Sequence, residues 1–139
     1  MCGIAGYISS IKLQDNAMLS CLHHRGPDHE GSYTDVINNK QLFLGHTRLS
    51  ILDLSEDGNQ PMFSGNKQIV IVFNGEIYNF QELKKKHLSQ QNFHSKTDTE
   101  VVLKLYEKFG IDFIKELNGD FAISIFDKPK NKLYLTITY

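Results

Sequence analysis

The sequence predicts an α+β domain in which a central strand is covered on both faces. Three observations point there. The run IVIVF (69–73) is continuous, strand-sized and rich in β-branched residues, which suits a strand buried on both sides rather than one with a wet face. Stretches between the apolar runs carry apolar residues at helical spacing behind capping-box pairs. Across 139 residues, 40% hydrophobic and 22% charged, no repeat, low-complexity tract or composition break interrupts the pattern, so 1–139 is expected to be one unit.

Residues 4–9 read as a first strand. Residues 13–24 read as a short helix with Met18, Cys21 and Leu22 on one face, ended by Gly26-Pro27, and Cys21 on that stripe is expected to fill core. QLFLGHTRLSIL has the character of a strand and SEDGNQPM that of a series of turns, after which the chain enters 69–73. Asn79 with Glu82 and Thr97 with Glu100 form capping boxes that start two helices. In the second, Val101, Val102, Leu105, Tyr106 and Phe109 supply the apolar stripe, Lys108 suits the negative end and Gly110 the exit. DFIKEL is helix-like; residues 121–126 form a strand, and DKPKNK turns the chain back into LYLTITY as an antiparallel hairpin.

Fifteen Lys and Arg face sixteen Asp and Glu, so the formal charge of -1 creates no general field for nucleic acid or an acidic membrane. The apolar runs fall far short of the ~18 residues that span a bilayer, and the N-terminus lacks a basic flank before an apolar segment. A cytoplasmic protein with neither nucleic acid nor membrane as partner is expected. Cys2 and Cys21 are read as free thiols. Phosphate-loop and dinucleotide signatures are missing, so nucleotide binding has no support. His23, His24, Asp28 and His29 crowd HHRGPDH, but Gly-Pro interrupts them and the spacing fits no zinc finger or zincin, so no metal site is expected.

The chemistry-bearing set is Cys2, Arg48, Asn74, Gly75, Glu76 and Asp98. Singly, each has a plain structural reading: Asn-Gly is a hairpin dipeptide, Asp98 suits the first turn of a helix, and Arg48 suits the surface. Together they supply the parts for attack on an amide. Loss of the initiator Met would give Cys2 a free α-amino group, with a reference pKa of about 7.7 to 8.0, beside its own thiol. That amine can take the thiol proton and later deliver it to departing ammonia. An Asn carboxamide beside a Gly N–H can face the developing oxyanion, at about 3 kcal/mol per donor.

The blocks MCGIAGY, HHRGPDHEG, GHTRLSILDLS, NQPM, FNGEIYNFQEL, TDTEVVLKLYEKFG and LNGDFAISIFD, in this order to about residue 135, resemble the glutaminase domain of glutamine-hydrolysing asparagine synthetases. These are class II glutamine amidotransferases with the N-terminal-nucleophile hydrolase fold. Other class II members also begin Cys-Gly-Ile, but RGPD with RLSILDL and FNGEIYN resembles the asparagine-synthetase branch, including its relatives that amidate sugars.

The resemblance implies a four-layer αββα sandwich. Cys2 would be the nucleophile forming a glutamyl thioester, with Asn74 and the Gly75 backbone as the oxyanion hole. Arg48 would hold the α-carboxylate of glutamine by a bidentate fork, and Glu76 with Asp98 its α-ammonium. Backbone groups of the loop 48–52 would line the pocket, and Arg25, at a family position near the nucleophile, would order that loop rather than touch substrate. Glutamine hydrolysis would need no cofactor; ATP and magnesium would belong to an ATP-dependent synthetase domain or subunit that uses the ammonia, with aspartate or a sugar acid as acceptor. Where the family continues with an Arg-Asp-Arg segment, a Gly and Pro-Leu-Tyr-Tyr, this chain reads LYLTITY. The expectation is a glutaminase domain incomplete at its C-terminus, without the synthetase domain, from an early or frameshifted stop. The alternative function is a glutamine-binding but catalytically inactive fragment or regulatory module.

Overall fold

A computed structural model describes residues 2–138, and of Asn16 the backbone alone. Strand β1 (Gly3–Ser9) leads into helix α1 (Asp15–Leu22), which tightens into a 3-10 turn at His23–Arg25. Strands β2 (His29–Ile37) and β3 (Lys40–Arg48) form a hairpin. The two-residue β4 (Met62–Phe63) pairs with β5 (Ile69–Ile77); then come α2 (Phe80–His87), α3 (Asp98–Phe109), a 3-10 segment at Gly110–Glu116, and the hairpin β6 (Gly119–Asp127) and β7 (Lys132–Ile137). The strands form two antiparallel sheets, ordered β1-β3-β2 and β4-β5-β6-β7.

Alternation along the strands builds the layers. Leu42 and Leu44 of β3 meet Val70 and Val72 of β5 and Phe126 of β6 between the two sheets. Ile71, Phe73 and Ile77, on the other face of β5, pack with Leu83 of α2 and with Val101, Val102, Leu105 and Tyr106 of α3. Helix α1 closes the outer face of the first sheet, where Leu19 is buried and Thr47 Oγ1 donates to the Leu22 carbonyl at 3.1 Å. The result is the four-layer αββα sandwich, with β3 and β5 each covered on both faces.

Several local expectations change. Helix α1 starts at Asp15, and Cys21 is exposed while Leu19 is buried. Two positions along a helix is about 200° of rotation, so a face centred on Leu19 turns Cys21 away from the sheet. Asn79 stands at the N-cap of α2, but its side chain makes no capping bond. Its carboxamide instead ties down the 116–118 segment, donating to the Glu116 carbonyl at 2.8 Å and accepting from the Asn118 N–H at 3.0 Å. Thr97 does cap α3, accepting from the Glu100 N–H at 3.3 Å, but the Glu100 carboxylate takes the N–H groups of His94 and Ser95 and the Ser95 hydroxyl rather than returning to Thr97. Phe109 lies on the surface beyond the stripe, and 110–116 is 3-10 rather than α-helical. Strand β7 is an edge among the described residues, with Leu135 and Ile137 exposed. Among the described residues no helix is long and apolar enough to cross a membrane.

Leu44 is 2% exposed in the inter-sheet core. Leu44→Ala is expected to lower unfolding stability by about 3 kcal/mol in a denaturant titration, from lost transfer energy and the cavity left behind. A loss under about 1 kcal/mol would contradict the double covering of β3.

Candidate active site

The pairing of Gly3 with Thr47 sets Cys2 beside the end of β3. There the Leu49 N–H donates to the Cys2 Sγ at 3.4 Å, and the thiol lies 3.7 Å from the Leu49 carbonyl. Arg25, expected to order the 48–52 loop, instead donates from Nε to the Cys2 carbonyl at 3.4 Å and so fixes the backbone at the thiol. The expected loss of Met1 falls outside the described residues.

The thiol opens onto a cavity of about 270 Å³ that is also lined by Arg48, Gly75, Glu76 and Asp98. Five of the predicted residues are thus brought together from the residue just before β1 and from β3, β5 and α3. The sixth, Asn74, is not in the lining: it is half-buried, and its Oδ1 is shielded with no hydrogen-bond partner among the described residues. Strand alternation explains this, since Asn74 follows Val70 and Val72 toward the space between the sheets while Gly75 follows Ile71 and Phe73. The dipeptide sits inside β5, not in a hairpin turn. Gly75 has φ 144°, and a side chain there would run into the Asp120 carbonyl on β6.

The outward edge of β5 organises the site. β4 pairs only with Val70 and Ile71, so the following outward-facing groups must find other partners. The Phe73 N–H donates to Gln60 Oε1 at 2.6 Å, and the Ile77 N–H donates to Asp98 Oδ2 at 3.0 Å. The two-residue period of strand hydrogen bonding aims the N–H of Gly75, midway between them, at the same edge. Phe121, opposite Gly75 on β6, bonds the other way, to Thr138, which agrees with that phase.

Charge is distributed unevenly around the cavity. Arg48 is 6% exposed; its Nη1 donates to the Ser55 carbonyl and Asn59 Oδ1, both at 2.7 Å, and its Nη2 donates to the Asp53 carbonyl. Asp53 fastens the same loop, accepting from the Lys96 N–H at 2.8 Å and from the Ser55 N–H and hydroxyl at 2.9 and 2.7 Å. These bonds, the Lys96 N–H first, hold its carboxyl down at about 2. Arg48 therefore shapes the loop over the cavity while lining the cavity itself. The carboxyl of Asp98 is pushed up, first by burial and further by the charge of Glu76, against the N–H bonds it accepts. An ammonium arriving between Asp98 and Glu76 would relieve both penalties.

Two buried polar residues that the sequence reading passed over support this wall, His46 from behind it and Gln60 within the cavity lining. His46 is fully buried on β3 and its Nε2 lies 3.2 Å from the Phe73 carbonyl, which fixes Nε2 as the protonated nitrogen; Nδ1 has no partner among the described residues. Burial, with the charges of His29 and Arg48, pushes its pKa down to about 4. Gln60, 5% exposed, takes the Phe73 N–H through Oε1 and donates from Nε2 to Thr99 Oγ1 at 3.2 Å. A Gln before Pro61 in a turn-rich segment carries no local signal of burial; only the stopping point of β4 creates its role.

Residues 1–137 match the glutamine amidotransferase domain family. Among curated proteins, the chain is 45% identical over 152 aligned residues to a putative glutamine-hydrolysing asparagine synthetase of Methanocaldococcus jannaschii, covering 96% of this chain and 29% of the relative. It is 38% identical to glutamine-hydrolysing asparagine synthetase 2 of Bacillus subtilis, over 97% of this chain and 18% of the relative, and 37% identical to asparagine synthetase B of Escherichia coli, over 94% and 24%. The chain thus spans less than a third of the length of these relatives. A solved structure of glutamine phosphoribosylpyrophosphate amidotransferase from B. subtilis superposes with a TM-score of 0.72 at 19% identity, over 92% of this chain and 35% of that one, which shows the shared fold.

The neutral, buried state of His46 has a consequence for stability. The unfolded chain takes up the His46 proton near its ordinary value of 6.5, whereas the folded chain resists until about 4. Stability is complete above pH 6.5 and falls as the pH drops toward 4, by about 3 kcal/mol for this residue. Denaturant titrations of wild type and His46→Asn from pH 7 to pH 4 are expected to diverge by that amount; a difference constant with pH would contradict the assignment.

Proposed function

Because the chain belongs to the glutamine amidotransferase domain family, we propose that it hydrolyses glutamine to glutamate and ammonia through a thioester on Cys2. The observation that carries this reading is a thiol held against the Leu49 peptide on the wall of a cavity whose other walls bring Arg48, Gly75, Glu76 and Asp98 together.

The charges suit a free amino acid. Among the described residues the Arg48 Nε–H and second Nη2–H make no bond and are left for a carboxylate, and Asp98 with Glu76 supplies the opposite charge for an ammonium. Clamping both ends of the substrate backbone sets how far the side-chain amide extends toward the thiol. Glutamine and asparagine differ by one methylene, which an apolar pocket alone distinguishes by only about 1 to 3 kcal/mol.

In the proposed sequence, removal of Met1 frees the Cys2 amine, which accepts the thiol proton as sulfur attacks the amide carbon. The carbonyl π pair moves onto oxygen, and the oxyanion is met by the Gly75 N–H, with the Asn74 carboxamide joining it only on turning from the inter-sheet space into the cavity. Collapse breaks the C–N bond, the ammonium proton passes to the leaving nitrogen, and ammonia departs. Water, deprotonated by the same amine, then adds to the thioester and expels the thiolate, which recovers its proton. No step requires a cofactor. The ammonia would serve asparagine synthesis or a related amidation in an ATP- and magnesium-dependent synthetase domain or subunit. The relatives, named as glutamine-hydrolysing asparagine synthetases, support a coupling of that kind. A cytoplasmic setting goes with such a pairing.

Ammonia release from glutamine should be measurable with wild type and absent with Cys2→Ala, while glutamine still raises the melting temperature of the variant. Equal ammonia from both proteins would overturn the reading; stabilisation by glutamine with no ammonia from wild type would favour a binding module instead. Asp98→Asn should raise KM for glutamine about 10- to 100-fold with a smaller change in kcat, the loss expected for one charge-assisted bond to the ammonium. A fall confined to kcat would remove Asp98 from substrate binding.

A further inference from the structure

We propose that Gln60 is a positioning residue for the oxyanion donors, acting as a side-chain substitute for the strand that β4 does not continue to supply; this inference rests on the glutaminase reading above. In the antiparallel register Met62 faces Ile71 and Phe63 faces Val70, so extending the ladder by two residues would set Gln60 against Phe73. The main chain makes no such pair. The Gln60 carboxamide reaches in instead and accepts the Phe73 N–H at 2.6 Å.

The orientation of that carboxamide is fixed from both ends. An N–H can only meet Oε1, so Nε2 points the other way and donates to Thr99 Oγ1 on α3 at 3.2 Å. Thr99 adjoins Asp98, whose carboxylate accepts the Ile77 N–H at 3.0 Å. A closed circuit therefore runs from residue 73 of β5 through Gln60 to α3 and back through Asp98 to residue 77, with Gly75 at its centre. His46 holds the Phe73 carbonyl at 3.2 Å, so the peptide planes on both sides of Phe73 are fixed immediately before Asn74 and Gly75.

The circuit matters because an oxyanion donor misaimed by a few tenths of an ångström still binds substrate but loses its transition-state bond. Gly75 cannot fix its own direction: it has no side chain and its φ of 144° is open to few residues but available to glycine among several others. Gln60 and Asp98 confine it from either side, and of these only Asp98 carries charge for the substrate.

The test compares Gln60→Met, which keeps the length and removes both bonds, with Thr99→Val, which removes only the outer anchor. Gln60→Met is expected to lower kcat for ammonia release about 30-fold while KM for glutamine changes less than about 3-fold. Alkylation of the Cys2 peptide by iodoacetamide should keep its wild-type rate, since the thiol itself is not touched. Thr99→Val should lower kcat about 3- to 5-fold, and the double variant should be no slower than Gln60→Met alone. Unchanged kcat in either single variant, a KM effect as large as the kcat effect, slowed alkylation, or multiplicative losses would each overturn the proposal. Should Gln60→Met fail to fold, the kcat and KM of Thr99→Val decide it. A wild type that releases no ammonia overturns the glutaminase reading and this inference with it, whereas an active wild type with an unaffected Gln60→Met overturns this inference alone.

Discussion

The site depends on one constraint: among the described residues the outward edge of β5 beyond Ile71 has no strand beside it. Unpaired backbone groups in a buried place cost about 1 to 3 kcal/mol each, so the edge must be satisfied by side chains. Gln60 and Asp98 take the N–H groups at 73 and 77, His46 takes the carbonyl at 73, and the group at 75 is left facing the cavity. A fully paired edge would have consumed the Gly75 N–H in a ladder. The same interruption that leaves this N–H free of a ladder also opens the cavity beside it.

The layers make that interruption tolerable. Both faces of β5 are packed, against β3 across the inter-sheet core and against α3 on the other side, so the strand keeps its position without a neighbour along that edge. Each covering layer delivers part of the chemistry. The end of β3 carries Arg48 and, with Leu49, the seat of the Cys2 thiol; the N-terminus of α3 carries Asp98. Burial and function meet in Asp98, whose carboxyl is pushed up by the surroundings that hold it in place. Such a group is better satisfied by a cationic ligand than by water alone.

Much of this was legible in the residues. The double covering of β5 follows from its unbroken apolar run, α3 from its cap and stripe, and the gathering of Cys2, Arg48, Gly75, Glu76 and Asp98 from the chemistry that those residue types share. What was not legible depends on relations between distant segments. Nothing near Gln60 or His46 tells that one will replace a missing strand and the other will hold a carbonyl across the gap between sheets. Cys21 was misplaced because a helix of eight residues gives its apolar stripe little definition, and the face was settled by packing over β3. Asn79 has the sequence context of a cap, yet the 116–118 segment offered it a carbonyl and an N–H together.

The most direct test of the account is an acid-quenched mass spectrum of the full chain after brief exposure to glutamine. Its central claim is that the thiol beside Leu49 and the donors on β5 act on the same acyl group. The account predicts a glutamyl group carried by the N-terminal peptide at Cys2, with Met1 absent and the exposed Cys21 unmodified. An acyl group on Cys21, or none on Cys2 while ammonia is released, would contradict it.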